Sequence, residues 1–152
     1  MRKRCKRKVY GLVNPILHAL QGAAITDVAA LNKLRVREVR ALEAFQFGRA
    51  DLRDWQDLVD MLNIAETMAR GGIGPEVLPV CEQAQEALLQ AGERQRAGKR
   101  MGVDGPGLVA LRELAEYHDL QRTSVSRAEY ERAITRTSNR IRGAAPEVKV
   151  LG

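Results

Sequence analysis

Histidine and cysteine, the side chains best suited to acid–base or nucleophilic chemistry near neutral pH, are scarce in this sequence. Its two histidines, His18 and His118, lie about a hundred positions apart and lack the spacing of a metal site. His118 falls on the apolar side of a predicted helix, where a histidine usually serves as a packing residue. His18 has no carboxylate near it in the sequence. The sequence therefore predicts a protein that is not an enzyme.

Carboxylates show one regular pattern, because aspartates recur every three residues at Asp51, Asp54, Asp57 and Asp60. Such a row on one helix could bind a divalent metal ion, but solvated helix faces show the same pattern. A di-metal carboxylate bundle would also need Glu-x-x-His motifs on facing helices, and the sequence contains none. We predict no catalytic residue, no metal site and no cofactor.

The positive charge of the chain is concentrated at its N-terminus. Six of the first eight residues are basic, namely Arg2, Lys3, Arg4, Lys6, Arg7 and Lys8. The whole sequence has 25 Lys and Arg against 19 Asp and Glu, so removing these six leaves 19 residues of each sign. A basic arm can neutralise phosphates and give salt-sensitive, sequence-independent affinity for nucleic acid, or it can simply be a solvated extension. We predict an accessory nucleic-acid contact beside a body without net charge.

A second group of basic residues lies near the C-terminus. Arg132, Arg136 and Arg140 are four residues apart and would form a ridge on one face of a helix. That ridge could follow a phosphate backbone, contact an acidic protein surface, or be an ordinary solvated helix face. These three arginines are the best candidate partner contacts outside the arm.

The apolar residues that must position these side chains recur at helical spacing. They include Val28, Leu31, Leu34, Val39, Leu42 and Phe45 in one stretch, and a cleaner stripe from Leu52 to Met68. Asp51, Asp104 and the Ser126–Glu129 capping box indicate helix starts, and no segment has the alternation of a strand. We predict an all-α fold, a single bundle of four long helices plus a short N-terminal element. The flexible basic arm would be residues 1–8, the bundle domain 9–143 and a loose tail 144–152.

Cysteine usage and hydropathy indicate a cytoplasmic location. Cys5 lies in the arm and Cys81 at a core-like helical position, so a disulfide framework is not expected. No stretch approaches the roughly twenty apolar residues that span a bilayer. We expect no membrane partner, and the sequence leaves open whether the chain forms a homo-oligomer.

One segment invites comparison with a helix-turn-helix. In residues 26–42, the small and apolar positions of that motif are occupied by Ala29, Leu34, Val39 and Leu42. Arg35, Arg37 and Arg40 would then be the DNA contacts. However, Lys33 occupies the turn position that prefers glycine, and the segment fits one uninterrupted helix equally well.

Several short runs resemble small prophage-borne helical proteins of Gram-negative bacteria. They are the basic arm leading to Asn14-Pro15, the run from Asp54 to Leu58 continuing through Asn63 to Glu66, and Gly72 to Glu76. The resemblance covers about residues 6–120 and includes no catalytic motif. It implies a phage or mobile-element context, in which small non-enzymatic proteins bind host machinery, including defence complexes such as CRISPR effectors, or regulate phage genes.

The residues and the resemblance together favour a non-enzymatic phage-type accessory protein. We expect it to bind and modulate a host protein or nucleoprotein complex through its helix faces. The alternative is a DNA-binding transcriptional regulator that uses residues 26–42.

Overall fold

The computed structural model describes residues 28–143, which contain five α-helices, one 3₁₀ turn and no β-strand. They are α1 (Val28–Gln46), α2 (Leu52–Arg70), the 3₁₀ turn (Pro75–Val77), α3 (Leu78–Arg96), α4 (Gly105–Ser124) and α5 (Arg127–Gly143). The all-α prediction is confirmed. The predicted count of four long helices is not, because each of the five spans 17 to 20 residues. The basic arm, the short N-terminal element and the C-terminal tail lie outside the described residues.

Local side-chain chemistry explains where the helices start. Asp51 and Asp54 form a reciprocal capping box at α2, with backbone-to-carboxylate distances of 2.9 Å and 3.1 Å. Asp104 accepts from the Gly107 amide at the start of α4, and Ser126 accepts from the Glu129 amide at the start of α5. The first four amides of a helix lack intrahelical partners, and these oxygens satisfy some of them.

Residues 28–46 form a single uninterrupted helix with Lys33 in its interior. A helix-turn-helix needs a break between its two helices, and the structure has none between positions 28 and 42. The helix-turn-helix interpretation of residues 26–42 is therefore wrong. The reason is local, since Lys33, Leu34 and Arg35 are good helix formers and the segment contains neither glycine nor proline.

The main apolar core lies among α2, α3 and α4, and α1 adds Ala41, Leu42 and Phe45 at one edge. Its fully buried members include Leu58, Val59, Leu62, Leu88, Leu111 and Leu114. Trp55 packs at its border and donates its indole N–H to the Leu88 carbonyl at 2.8 Å. Cys81 is buried in this core, as its sequence position predicted, and burial raises the pKa of its thiol to about 11.

The last helix, α5, packs against α2 through a second, smaller cluster. Met68, Val125, Tyr130 and Ala133 form its buried part. Beside them, the Thr137 and Thr67 hydroxyls lie 2.9 Å apart and link α5 to α2. Within residues 28–143, no helix combines the length and hydropathy needed to cross a bilayer.

Candidate functional site: a groove between α1 and α4

The contact between α1 and α4 is organised by buried charges. Arg122 on α4 is only 1% exposed and makes two hydrogen bonds to Glu38 on α1, at 2.5 Å and 2.9 Å. It also donates to Asp119 at 3.2 Å. Asp119 in turn accepts two hydrogen bonds, both 2.8 Å, from Arg35 on α1. The four residues form a continuous chain of alternating charge, which we call the ion network.

The electrostatics of the ion network favour permanent charge on Arg35, Asp119 and Arg122. Burial opposes charge on Arg122, but the hydrogen bonds and negative charge of Glu38 outweigh it and raise the pKa of the guanidinium. Hydrogen bonding from Arg35 lowers the pKa of Asp119, and the same contact raises the pKa of Arg35. A group that keeps one charge across the neutral range is suited to holding structure rather than to transferring protons.

Above the ion network lies an open groove of about 540 Å³ between α1 and α4. Its apolar lining comes from Val39, Leu42, Ala115 and Leu120. The charged lining consists of the ion network together with Arg112 and Glu116. The lining runs from position 35 to 42 on α1 and from 112 to 122 on α4, roughly 10 Å and 15 Å at the helical rise.

The two walls of this groove expose large apolar side chains. Val39 is 53% exposed on α1 and Leu120 is 65% exposed on α4, while Leu42 between them is buried. Val36, one turn from Val39 on α1, is 66% exposed. The helical spacing placed Val28 and Val39 in the apolar stripe of α1, but both side chains are largely exposed. The core takes Leu31, Ala41, Leu42, Ala44 and Phe45, and Leu34 is partly buried, so a second apolar strip of α1 faces outward.

The arginines that the helix-turn-helix interpretation assigned to DNA have other contacts. Arg35 belongs to the ion network, and Arg37 donates to the Asp57 carboxylate at 2.5 Å. Arg40 lies 3.8 Å from the second oxygen of the same carboxylate. Asp57 is 7% exposed, so these arginines neutralise a buried acid on α2. Their primary role in the structure is to join α1 to α2 and α4.

The aspartate row of α2 is distributed among unrelated tasks. Asp51 and Asp54 cap the helix, Asp57 is paired with arginines, and Asp60 accepts from Gln56. Across residues 28–143, no group of three or more His, Cys, Asp or Glu side chains is placed to hold a metal ion. The residue types that a cation site needs are present, but here they face different neighbours.

His118 is buried between α4 and α5, as expected for a packing histidine. It is 1% exposed, its Nδ1 lies 2.9 Å from Gln121 Oε1, and its Nε2 lies 3.5 Å from the Tyr130 hydroxyl. Burial, reinforced by the positive charge of Arg122, lowers the pKa of His118 to about 4. The ring is therefore neutral at physiological pH. The side-chain amide of Gln121 also donates to the backbone carbonyls of Ala65 and Ile73.

The three arginines of α5 are only partly available as the predicted ridge. Arg132 and Arg136 are exposed. Arg140 is half-buried, pairs with Glu66 at 3.1 Å and donates to the Asn63 carbonyl at 3.2 Å. Because Arg140 also ties α5 to α2, the freely presented part of the ridge is Arg132 and Arg136. The basic arm, Arg2 to Lys8, lies outside the described residues.

One signal for the ion network was present in the sequence, and our interpretation missed it. Glu38 lies seven residues after Leu31 and four before Leu42, on the apolar face of α1. A carboxylate on such a face requires a cationic partner when the face is buried. Arg122 follows His118 by four residues and lies on the same face of α4. Which helices would meet could not be read from either helix alone.

Comparison with known protein families, with characterised proteins and with solved structures finds no match for this chain. The functional argument therefore depends on the geometry of the groove and on the residues around it.

Proposed function

We propose that this chain is a non-enzymatic phage-type accessory protein whose α1–α4 groove binds a helix of a host protein or nucleoprotein complex. The observation that carries the proposal is the pair Val39 and Leu120. Both are more than half exposed on opposite walls of the groove, whose lining also includes the apolar side chains of Leu42 and Ala115. Exposed apolar surface that is contiguous and bordered by charges is typical of protein-binding sites.

An amphipathic helix is the occupant that fits this groove best. The two walls of the groove, about 10 Å and 15 Å long, present an apolar strip that two or three helical turns could cover. Such a helix would offer apolar side chains at positions i, i+3 or i+4, and i+7. Burying one leucine-sized side chain against Val39 and Leu120 would contribute about 2 kcal/mol.

The charges along the groove further define the partner. On α4, Arg112 and Glu116 lie one turn apart at its edge, and both are exposed. Arg112 donates to Gln46, while Glu116 makes no ion pair within residues 28–143. A partner helix should therefore carry both signs of charge beside its apolar stripe, with a base placed to meet Glu116. Complementary rim charges mainly raise the association rate and set orientation.

The non-enzymatic part of the proposal depends on the side chains available. His118 is buried and neutral, and the pKa of the Cys81 thiol lies far above neutral pH. The buried acids Glu38 and Asp57 pair with arginines. The phage setting, the bacterial cytoplasm and a defence complex as target rest on the resemblance of the sequence runs. They are expectations about the partner rather than about the groove.

A pull-down from host lysate with matched variants tests the proposal. Val39→Asp and Leu120→Asp place charge in the groove, and Val109→Asp is the control because Val109 is 61% exposed on α4 but does not line the groove. We expect the full-length protein and the control to capture the same host protein, with and without nuclease. The two groove variants should lose it.

Three outcomes would contradict the proposal. The first is capture that disappears on nuclease treatment for every variant, which would indicate an indirect contact through nucleic acid. The second is equal capture by the groove and control variants. The third is capture only of a second copy of this chain, which would show a self-association surface. Thermal melting of each variant separates loss of binding from loss of folding.

A further inference from the structure

A second surface, at the end of the bundle where α1 and α3 terminate, has a composition unlike the groove. It consists of residues 47–50 and 94–101, which we call the basic end. These two segments contain Arg49, Arg94, Arg96, Lys99 and Arg100, and no acidic residue. All five cations are exposed, and within residues 28–143 none of them forms an ion pair.

The two segments of the basic end adjoin each other. A β-carbon at Gly48 would lie 3.2 Å from the Arg100 guanidinium, and Arg94 donates to the Arg100 carbonyl at 3.3 Å. Gly48 and Gly98 both have φ near +70°, at 67° and 74°, which turns the chain sharply after each helix. The turns hold the cations that follow them on one side of the bundle end.

Helix stabilisation does not account for this composition. Cations in the last turn interact favourably with the negative end of the helix dipole, which can explain Arg94 and Arg96 in α3. Arg49, Lys99 and Arg100 lie beyond the helix ends. The aspartates that follow the two segments, Asp51 and Asp104, are occupied as caps of α2 and α4.

An aromatic ring completes the surface. Phe47 is 62% exposed directly after α1, and the Arg49 guanidinium lies over its ring at 5.4 Å from the centroid. An exposed phenylalanine contributes little to folding, since its apolar area remains in water. Beside several cations, an aromatic face is suited to stacking with an unpaired base while the cations contact phosphates.

We propose that the basic end binds single-stranded nucleic acid, with Phe47 as the stacking residue and Arg96, Lys99 and Arg100 as phosphate contacts. This contact is separate from the groove and does not depend on what the groove binds. Duplex nucleic acid fits less well, because its bases are stacked on each other and leave no face for Phe47. An acidic protein would satisfy the cations but gives no role to the exposed ring.

Fluorescence anisotropy with the full-length protein tests this assignment, using labelled 20-nucleotide single-stranded DNA and RNA and a duplex of the same DNA sequence. The double variant Arg96→Glu/Lys99→Glu should weaken single-strand binding at least about tenfold and flatten its salt dependence by about 1.4 in log–log slope. Lys33→Glu/Arg142→Glu makes the same charge change at two exposed cations outside the basic end and should weaken binding less than about threefold.

The ring is tested separately. Phe47→Ala should weaken single-strand binding by about fivefold to a hundredfold without changing the salt slope, as expected for loss of one stacked base. Phe47→Trp retains an aromatic face and should restore affinity, and Ile134→Ala on α5 is the control for loss of an exposed apolar side chain. Comparison of the DNA and RNA strands identifies the source of the ligand.

Several results would overturn the proposal. Equal effects of the two double variants would assign binding to overall charge, including the basic arm. Tight duplex binding with no effect of Phe47→Ala would remove the single-strand assignment. Displacement by polyglutamate at the same charge concentration as an oligonucleotide, again with no effect of Phe47→Ala, would identify the basic end as a surface for acidic protein.

Discussion

Helix α4 contacts α3 and α1 by different chemistry. Toward α3 it presents aliphatic side chains, with Leu111 and Leu114 fully buried beside Leu88. Toward α1 it presents Arg122 and Asp119, which bind Glu38 and Arg35. Apolar packing excludes water over the whole contact, whereas ion pairs fix two helices at a few points. The α1 side can therefore be firmly positioned and still leave apolar surface open, which is how the groove arises.

The largest effect should come from breaking the ion network at its buried end. Glu38→Ala leaves the Arg122 guanidinium buried without its main partner, which should lower the free energy of unfolding by about 3–5 kcal/mol. Urea denaturation measures this change. The double variant Glu38→Leu/Arg122→Met should recover most of it, because both charges leave together. A cost below about 1 kcal/mol for Glu38→Ala would show that the network does not hold α1 in place.

On the α3 side, we predict that a substitution lowers the free energy of unfolding by leaving a cavity, and not by leaving a buried charge without its partner. Leu111 is fully buried in the aliphatic core, so Leu111→Ala should lower the free energy of unfolding by about 3 kcal/mol. The same urea experiment applies. Unlike Glu38→Ala, this loss should not be recovered by changing any single neighbour, and Val109→Ala on the exposed side of α4 should have little effect. A small effect of Leu111→Ala would contradict the claim that apolar packing holds α4 against α3.

Acid should destabilise the fold through His118, which is buried between α4 and α5. Its pKa is about 4 in the folded protein and 6.5 as the ordinary value, so the unfolded chain binds the extra proton between these limits. Stability is therefore complete above pH 6.5 and falls as the pH drops toward 4, by about 2 kcal/mol at pH 5. Thermal melts from pH 8 to pH 5 should show a shallower fall for His118→Gln than for the original chain. Parallel pH profiles for the two proteins would contradict this assignment.

The smallest effect is expected at the solvent end of the ion network. Arg35 contacts Asp119 where both side chains are about a third exposed, at 38% and 31%. Water and salt screen such a pair, so Arg35→Gln should shift the urea midpoint far less than Glu38→Ala. The shift should shrink further at high salt, whereas the Glu38→Ala effect should not. Equal shifts for the two variants would mean that the contribution of each ion pair to stability does not depend on its burial.

Local signals in the sequence were sufficient for the fold class and for several helix boundaries. Asp51, Asp104 and Ser126 start helices because their side-chain oxygens bind amides a few residues away, an interaction contained in the sequence itself. The helix count failed although each of the five helices carries its own apolar pattern. A glycine in the sequence does not always mark the end of a helix. Gly92 lies inside α3 next to the Trp55 ring, and a glycine in a well-packed helix need not end it.

The groove could not be read from the sequence because it depends on which apolar residues the tertiary structure leaves outside. Val39 and Leu42 are three residues apart and look equivalent in an apolar stripe, yet one is exposed and the other buried. The rotation of α1 decides this difference, and the pairing of Glu38 with Arg122 fixes that rotation. The contact of Arg140 could not be predicted for the same reason, because its ion pair with Glu66 forms only when α5 lies against α2.

Site-specific photo-crosslinking in host cells is the most direct test of the groove as a protein-binding site. A photoreactive phenylalanine analogue would replace Val39 or Leu120 in the groove, and Val109 or Ile134 outside it. We predict a crosslink to one host protein from positions 39 and 120 and none from positions 109 and 134. Crosslinks of equal strength from all four positions, or only to a second copy of this chain, would contradict the central claim.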